Sequence, residues 1–123
     1  MIFVDLRSPK PLYEQIKDSI RTQVLHGLLL PDEKLPSVRE MAQSNAINPN
    51  TIQRAYRDLE AEGILYSLPG RGSFVADAAE SLKARRKAEI LTAMSGLLAE
   101  LRQLGMTNEE IVNSLEGGAL HDD

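Results

Sequence analysis

The run Ser37-Val38-Arg39-Glu40-Met41-Ala42-Gln43-Ser44-Asn45-Ala46-Ile47-Asn48-Pro49-Asn50-Thr51-Ile52-Gln53-Arg54-Ala55-Tyr56-Arg57-Asp58-Leu59-Glu60-Ala61-Glu62 decides the fold. Its apolar spacing predicts two helices, over 37–44 and 49–62, joined by a short turn. Ser37 and Glu40 form a capping box, in which the hydroxyl accepts from the third helical N–H and the carboxylate reaches back. Asn45 is placed to close the first helix in the left-handed conformation. Asn48 caps the second helix, Pro49 occupies its first position, where a missing N–H costs nothing, and Gly63 stops it. Counted from Val38, the fifth, tenth, fifteenth and eighteenth residues are Ala42, Ile47, Ile52 and Ala55. That is the small-and-apolar pattern a helix-turn-helix needs where its helices touch. The ninth residue is Ala46, where Gly is usual.

The second of these helices buries Ile52, Ala55, Tyr56 and Leu59 and turns Asn50, Thr51, Gln53, Arg54 and Arg57 outward. Residues 34–57 carry Lys34, Arg39, Arg54 and Arg57 against one acid, Glu40; the acids Asp58, Glu60 and Glu62 follow at once. Amides and guanidinium groups on one helical face suit the DNA major groove. Asn50 and Gln53 match adenine edges and Arg54 matches guanine O6 and N7. Arg57 suits a phosphate, or equally a neighbouring acid. Ser37 and Arg39 sit at the start of the first helix, facing the duplex backbone.

Working outward, Pro11 to His26 reads as a helix with an apolar stripe at Ile16, Ile20 and Val24, and Pro31-Asp32-Glu33 as a turn. Ile64–Leu68 and Ser73–Val75 flank Pro69-Gly70-Arg71-Gly72, a hairpin with a glycine-rich tip. Directly after a helix-turn-helix this is the natural wing, with Arg71 between Gly70 and Gly72 suited to a narrow minor groove. Asp77-Ala78-Ala79-Glu80 begins a long helix that Gly105 closes, ~40 Å in all. Ile90, Met94, Leu97, Leu101 and Leu104 are spaced 4, 3, 4 and 3 apart, and Leu91 and Leu98 widen the stripe. A last short helix starts at the cap Thr107 and carries Ile111, Val112 and Leu115. It is too short to cover that stripe, which therefore calls for a second copy of the chain.

Composition narrows the function. The 123 residues are 42% hydrophobic, room for one small domain and an appendage. With no Cys, thiol nucleophiles and Cys-ligated metals are excluded; with only His26 and His121, imidazole chemistry has little to draw on. The net charge of −4 disfavours coating of nucleic acid by bulk charge, so the basic face is a selective one. No signal peptide or membrane span is legible, which implies a cytoplasmic protein.

Several of these motifs together carry a resemblance. Pro11-Leu12-Tyr13-Glu14-Gln15-Ile16, Leu35-Pro36-Ser37-Val38-Arg39-Glu40, Ile47 to Tyr56, Leu59-Glu60-Ala61-Glu62-Gly63 and Gly70-Arg71-Gly72-Ser73-Phe74-Val75 follow in order over residues 10–76. The chain resembles the winged-helix domain of GntR-family bacterial transcription regulators, and its short helical tail resembles the YtrA subfamily. The resemblance implies DNA contacts at Arg39, at Asn50, Thr51 and Gln53, and at the wing around Gly70 and Arg71. Asn48-Pro49 stands where many members carry Ser/Thr-Arg, which removes one Arg contact, and Pro31-Asp32 replaces the usual Pro-Gly turn. It also implies a transporter operon as the regulated unit.

The fold expected is mainly α with a small β-hairpin: a winged helix-turn-helix with a short N-terminal arm over residues 1–76, then a two-helix dimerisation tail over 77–123. The function expected is a non-enzymatic, sequence-specific, repressing regulator that binds a palindromic operator on double-stranded DNA as a homodimer. The DNA-contacting residues are Ser37, Arg39, Asn48, Asn50, Thr51, Gln53, Arg54, Arg57, Gly70, Arg71 and Gly72; the dimer seam is Ile90, Leu91, Met94, Leu97, Leu98, Leu101 and Leu104. No cofactor or metal is called for, and an effector of unspecified identity would have only a small site. The alternative is a winged-helix module for protein or RNA without operator specificity. Lesser signals read blandly. The basic run Lys83 to Lys87 is a solvated face with Arg85 pairing Glu89, His121-Asp122-Asp123 is a frayed tail rather than a metal site, and Ile2, Val4 and Leu6 alternate as a strand would.

Overall fold

The computed structural model describes residues 4–117. Along the chain come α1 (Leu12–Leu25), α2 (Val38–Asn45), α3 (Pro49–Ala61), β1 (Leu65–Leu68), β2 (Gly72–Val75), α4 (Ala79–Gln103) and α5 (Asn108–Glu116). Two compact units divide at Lys83 and Ala84, within α4.

The first unit is a helix-turn-helix with a wing. Ile16, Ile20 and Val24 of α1 lie buried with Ile52, Ala55 and Leu59 of α3, the i, i+4 and i, i+3 spacings that give each helix one apolar face. Ile64, Leu65 and Val75 extend this core into the wing, and Ala78 and Leu82 into the first turn of α4. The capping box at Ser37 forms as expected, with Glu40 N–H donating to Ser37 Oγ at 3.0 Å and Ser37 N–H to Glu40 Oε1 at 2.9 Å. The Tyr56 hydroxyl donates to the Pro36 carbonyl at 2.8 Å and so ties α3 to the approach to α2.

The turn between α2 and α3 differs from expectation by one residue. Asn45 stays helical, its side-chain amide donating to the Met41 carbonyl at 2.8 Å, and Ala46 takes the left-handed conformation at φ 53°. The small residue at the ninth position thus does what glycine usually does there, with the Ile47 N–H closing on the Ala42 carbonyl at 3.0 Å. Two further expectations are corrected. The first N–H of α4's ladder runs from Leu82 to the Ala78 carbonyl, so Ala78 rather than Asp77 precedes the helix. Residues 4–6 form no strand, although Val4 packs on the core; Leu6 is exposed, and Ile2 lies outside the described residues.

Asp58 and Glu62, which the sequence placed beside a basic face, are turned to α1. Lys17 is buried, and its Nζ lies 2.9 Å from Glu62 and 3.4 Å from Asp58; Arg21 meets Glu62 at 2.7 Å and Asp18 at 2.9 Å. With Arg54 over the Tyr13 ring at 3.7 Å, two i, i+4 rows face each other: 13, 17 and 21 on α1 against 54, 58 and 62 on α3.

The wing pairs Leu65 with Val75, Tyr66 with Phe74, Ser67 with Ser73 and Leu68 with Gly72 in antiparallel register. At the tip Arg71 N–H returns to the Leu68 carbonyl at 2.9 Å, with Pro69 and Gly70 (φ 73°) at the two central positions of the turn, as a type II turn requires. The segment after α1 lies along β2: Asp32 N–H donates to Val75 O at 2.7 Å, Val75 N–H to Glu33 O at 2.9 Å and Leu35 N–H to Ser73 O at 2.9 Å, with Lys34 bridged to Phe74. Asp32 adopts φ 69° in place of the glycine the resemblance led one to expect, and accepts from the Tyr66 hydroxyl at 2.6 Å.

In the second unit, Gly105 (φ 97°) ends α4 with the Met106 N–H on the Leu101 carbonyl, and Thr107 caps α5 through a second capping box.

Two predictions follow from this packing. Burial, the largest influence on Glu62, opposes its charge, but the hydrogen bonds and charges of Lys17 and Arg21 outweigh it and hold its carboxyl below the ordinary value of 4.5. A depressed carboxylate contributes stability that is present above its unfolded pKa and is lost as pH falls through the folded one. Wild-type melting temperature should therefore drop as pH falls below 4.5, whereas Glu62→Gln should be less stable at neutral pH by about 1–3 kcal/mol and show a flatter acid limb. An identical acid limb in both proteins contradicts the network. Separately, Ala46→Gly should raise stability by about 0.5–1 kcal/mol in denaturant titration, because glycine adopts positive φ without the side-chain clash.

Candidate nucleic-acid interface

The exposed face of α3 is built by subtraction. Its core row goes to α1 and the wing, and its 54, 58 and 62 row goes to α1's side chains. What remains outward is Asn50, Gln53 and Arg57, all exposed, with Thr51 half-buried beside them. Among the described residues no acid lies within ion-pair distance of Arg57, so the sequence's alternative of an acidic partner is not realised. Asn48 is exposed and caps α3, its Oδ1 accepting the Asn50 N–H at 2.8 Å. Asn48 therefore shapes the start of the helix before it does anything else.

Arg54 stands apart from the other candidates. It is exposed, but its guanidinium carbon sits 3.7 Å over the centre of the Tyr13 ring, on the α1-facing side of α3 rather than with Gln53 and Arg57. A guanidinium over a ring face engages it by cation–π attraction, and the exposed N–H groups of Arg54 remain donors.

At the start of α2, Ser37 Oγ is engaged in the capping box, and Arg39 is exposed with no acid within ion-pair distance among the described residues. Glu40 is held below its usual range by the backbone and side-chain hydrogen bonds with Ser37, with the Lys34 charge adding to the effect. On the wing Arg71 is exposed at the tip between Gly70 and Gly72 (φ 119°). The Ser67 hydroxyl donates to Glu60 at 2.8 Å, fastening the wing to α3 and occupying α3's remaining acid. Glu40, Asp58, Glu60 and Glu62 thus each accept contacts from within the fold, while among the described residues no acid lies within ion-pair distance of Arg39, Arg57 or Arg71.

The sequence does not disclose the contacts of two residues. Tyr13 supports Arg54 across a separation in sequence that no local pattern reports. Lys34 joins the wing through the strand-like segment on β2, a pairing for which one isolated bridge gives no alternation to detect.

The second unit holds the predicted seam. Ile90, Leu91, Met94, Leu97 and Leu104 are 43–80% exposed, while Leu98 and Leu101 are half-buried. The faces of α4 and α5 border an open apolar cleft of about 520 Å³, lined by Met94, Leu97, Leu101 and Ile111 among others. In the basic run, Arg86 rather than Arg85 pairs with Glu89, at 3.3 Å, and Lys83 meets Glu80 at 3.5 Å. Among the described residues no group of His, Asp or Glu is arranged for a metal, and no helix is long and apolar enough to cross a membrane. His121-Asp122-Asp123 lies outside those residues.

Comparison with known proteins agrees with this architecture. Residues 12–75 match the family described as bacterial regulatory proteins, gntR family. The HTH-type transcriptional repressor YtrA of Bacillus subtilis (strain 168) is 36% identical over 130 residues, spanning 99% of this chain and 100% of that protein. A transcriptional regulator from Oenococcus oeni, solved as a crystal structure, superposes with a TM-score of 0.79 at 33% identity, over 93% of this chain and 95% of that one. The crystal structure of AraR(DBD) in complex with operator ORX1 aligns at 38% identity with a TM-score of 0.54, over 60% of this chain and 92% of that one. These relatives are transcription regulators and DNA-binding domains, not enzymes.

Proposed function

The chain belongs to the gntR family of bacterial regulatory proteins, and on that premise we propose that it is a repressor that binds a palindromic operator on double-stranded DNA as a homodimer. The observation that carries this is the outward face of α3, where Asn50, Gln53 and Arg57 are exposed while Asp58, Glu60 and Glu62 are engaged within the fold. In this reading α3 enters the major groove. Asn50 and Gln53 read base edges, with Thr51 beside them; Arg57, Arg39 and the Ser37 turn meet phosphates. Arg71, carried by Gly70 and Gly72, reaches the minor groove. Arg54 braces α3 on Tyr13 and offers its edge to the backbone rather than to guanine.

A single unit reads few base pairs, and a two-fold dimer doubles them over half-sites about one helical turn apart. The apolar stripe from Ile90 to Leu104, with Leu91 and Leu98, supplies the seam, filled by the partner's copy. From the likeness to the YtrA repressor we further propose that the regulated unit is a transporter operon and that the protein acts in the cytoplasm with its DNA.

Selection of bound duplexes from a random pool tests the reading: an enriched inverted repeat is expected, with affinity falling steeply in salt. Absence of any enriched sequence overturns it in favour of a protein- or RNA-docking module. Gln53→Ala should cost about 1–3 kcal/mol of operator binding and relax one base position, while Arg54→Ala weakens binding with base preference unchanged. Leu97→Asp with Leu101→Asp should bury unpaired charge in the seam and give a monomer in sedimentation at micromolar concentration. A wild-type monomer, or a double variant that stays dimeric, contradicts the assembly.

A further inference from the structure

Lys34 lies on none of the helices, yet its position is closely fixed. Its backbone is bridged to Phe74, and its neighbours are hydrogen-bonded to β2 on both sides, through Glu33 to Val75 and through Leu35 to Ser73. Side chains alternate along such a segment. Leu35 points into the core and is 3% exposed, so Lys34 points the other way and is exposed. Among the described residues no acid lies within ion-pair distance of it.

The side chain runs across the wing at Gly72. A methyl group added there would stand 3.1 Å from Lys34 Cε and 3.8 Å from its Nζ, whereas one added at Gly70 would meet nothing within 4 Å. The two wing glycines therefore differ in kind. Gly70 answers a turn that needs positive φ, and Gly72, at φ 119°, also leaves open the track on which Lys34 lies. The same ammonium is near enough to the start of α2 to bear on Glu40.

We infer that Lys34 is a phosphate-contacting residue of the wing, seated over the bare backbone of Gly72, so that the wing's cationic edge is Lys34 together with Arg71. The inference rests on the DNA-binding reading above and adds a group to it. An ammonium with no acid within ion-pair distance among the described residues, fixed at its root, attracts a phosphate without regard to base identity.

The test uses the full chain, fluorescence anisotropy with the selected operator and a scrambled duplex, and a series of salt concentrations. Lys34→Gln should flatten the slope of log affinity against log salt by about 0.9, the release expected for one phosphate contact. It should weaken both duplexes by the same factor and leave the selected sequence unchanged. Lys34→Arg should restore the slope. In the Lys34→Gln background Gly72→Ala should cost less affinity than in wild type, because the side chain it displaces no longer carries charge. A wild-type slope in Lys34→Gln, or equal cost of Gly72→Ala in both backgrounds, overturns the inference while the DNA-binding reading stands. A wild-type protein that binds neither duplex overturns both.

Discussion

The arrangement of the DNA-binding unit depends on how α1 and α3 face each other. Tyr13, Lys17 and Arg21 form one row and Arg54, Asp58 and Glu62 the other, so each helix sets the rotation of its neighbour about its own axis. Apolar packing alone would tolerate some sliding, since aliphatic side chains interdigitate in more than one way. Buried Lys17 does not tolerate it, because turning α3 would leave an ammonium in the core without its carboxylates. The network contributes to stability through the buried Lys17–Glu62 pair, and it also fixes orientation. Once α3's rotation is fixed, so is the identity of the residues left outside.

The wing depends on a similar economy. A two-stranded hairpin alone is marginal in water. Here the segment 32–35 adds a strand-like rung to β2, Tyr66 stacks on Phe74 with ring centroids 5.6 Å apart, and the Tyr66 hydroxyl is held by Asp32. The residues that precede the helix-turn-helix thereby determine where the wing stands. The chain between α1 and α2 is part of the wing rather than a connector.

Much of this was legible in the sequence because the signals are local. Capping boxes at Ser37 and Thr107, Pro49 after Asn48, and the glycines at 63, 70 and 105 mark element ends through interactions spanning a few residues. Helical periodicity likewise gave the buried positions of α3. Features that the sequence leaves undecided depend on contacts distant in sequence or on a choice between neighbouring residues. Arg54 is one position from Gln53 and equally polar, and only the presence of Tyr13 opposite separates a side chain stacked against α1 from one turned outward. Asn45 and Ala46 both suit the left-handed turn; the choice falls on Ala46 because Asn45 bonds back to Met41. Lys34 was counted as charge, but its place on the wing comes from pairing with β2, which no pattern within residues 31–36 encodes.

The division of α3 into a row that holds the fold and a face that holds nothing has an evolutionary reading. Asn50, Gln53 and Arg57 are exposed and outside the buried core of the described residues, so replacing any of them leaves that core intact. Under the proposed binding mode, changes at Asn50 and Gln53 can redirect the target sequence in single steps while the buried row of α3 stays as it is. Divergence among paralogues is then limited by what the promoter tolerates rather than by the stability of the protein.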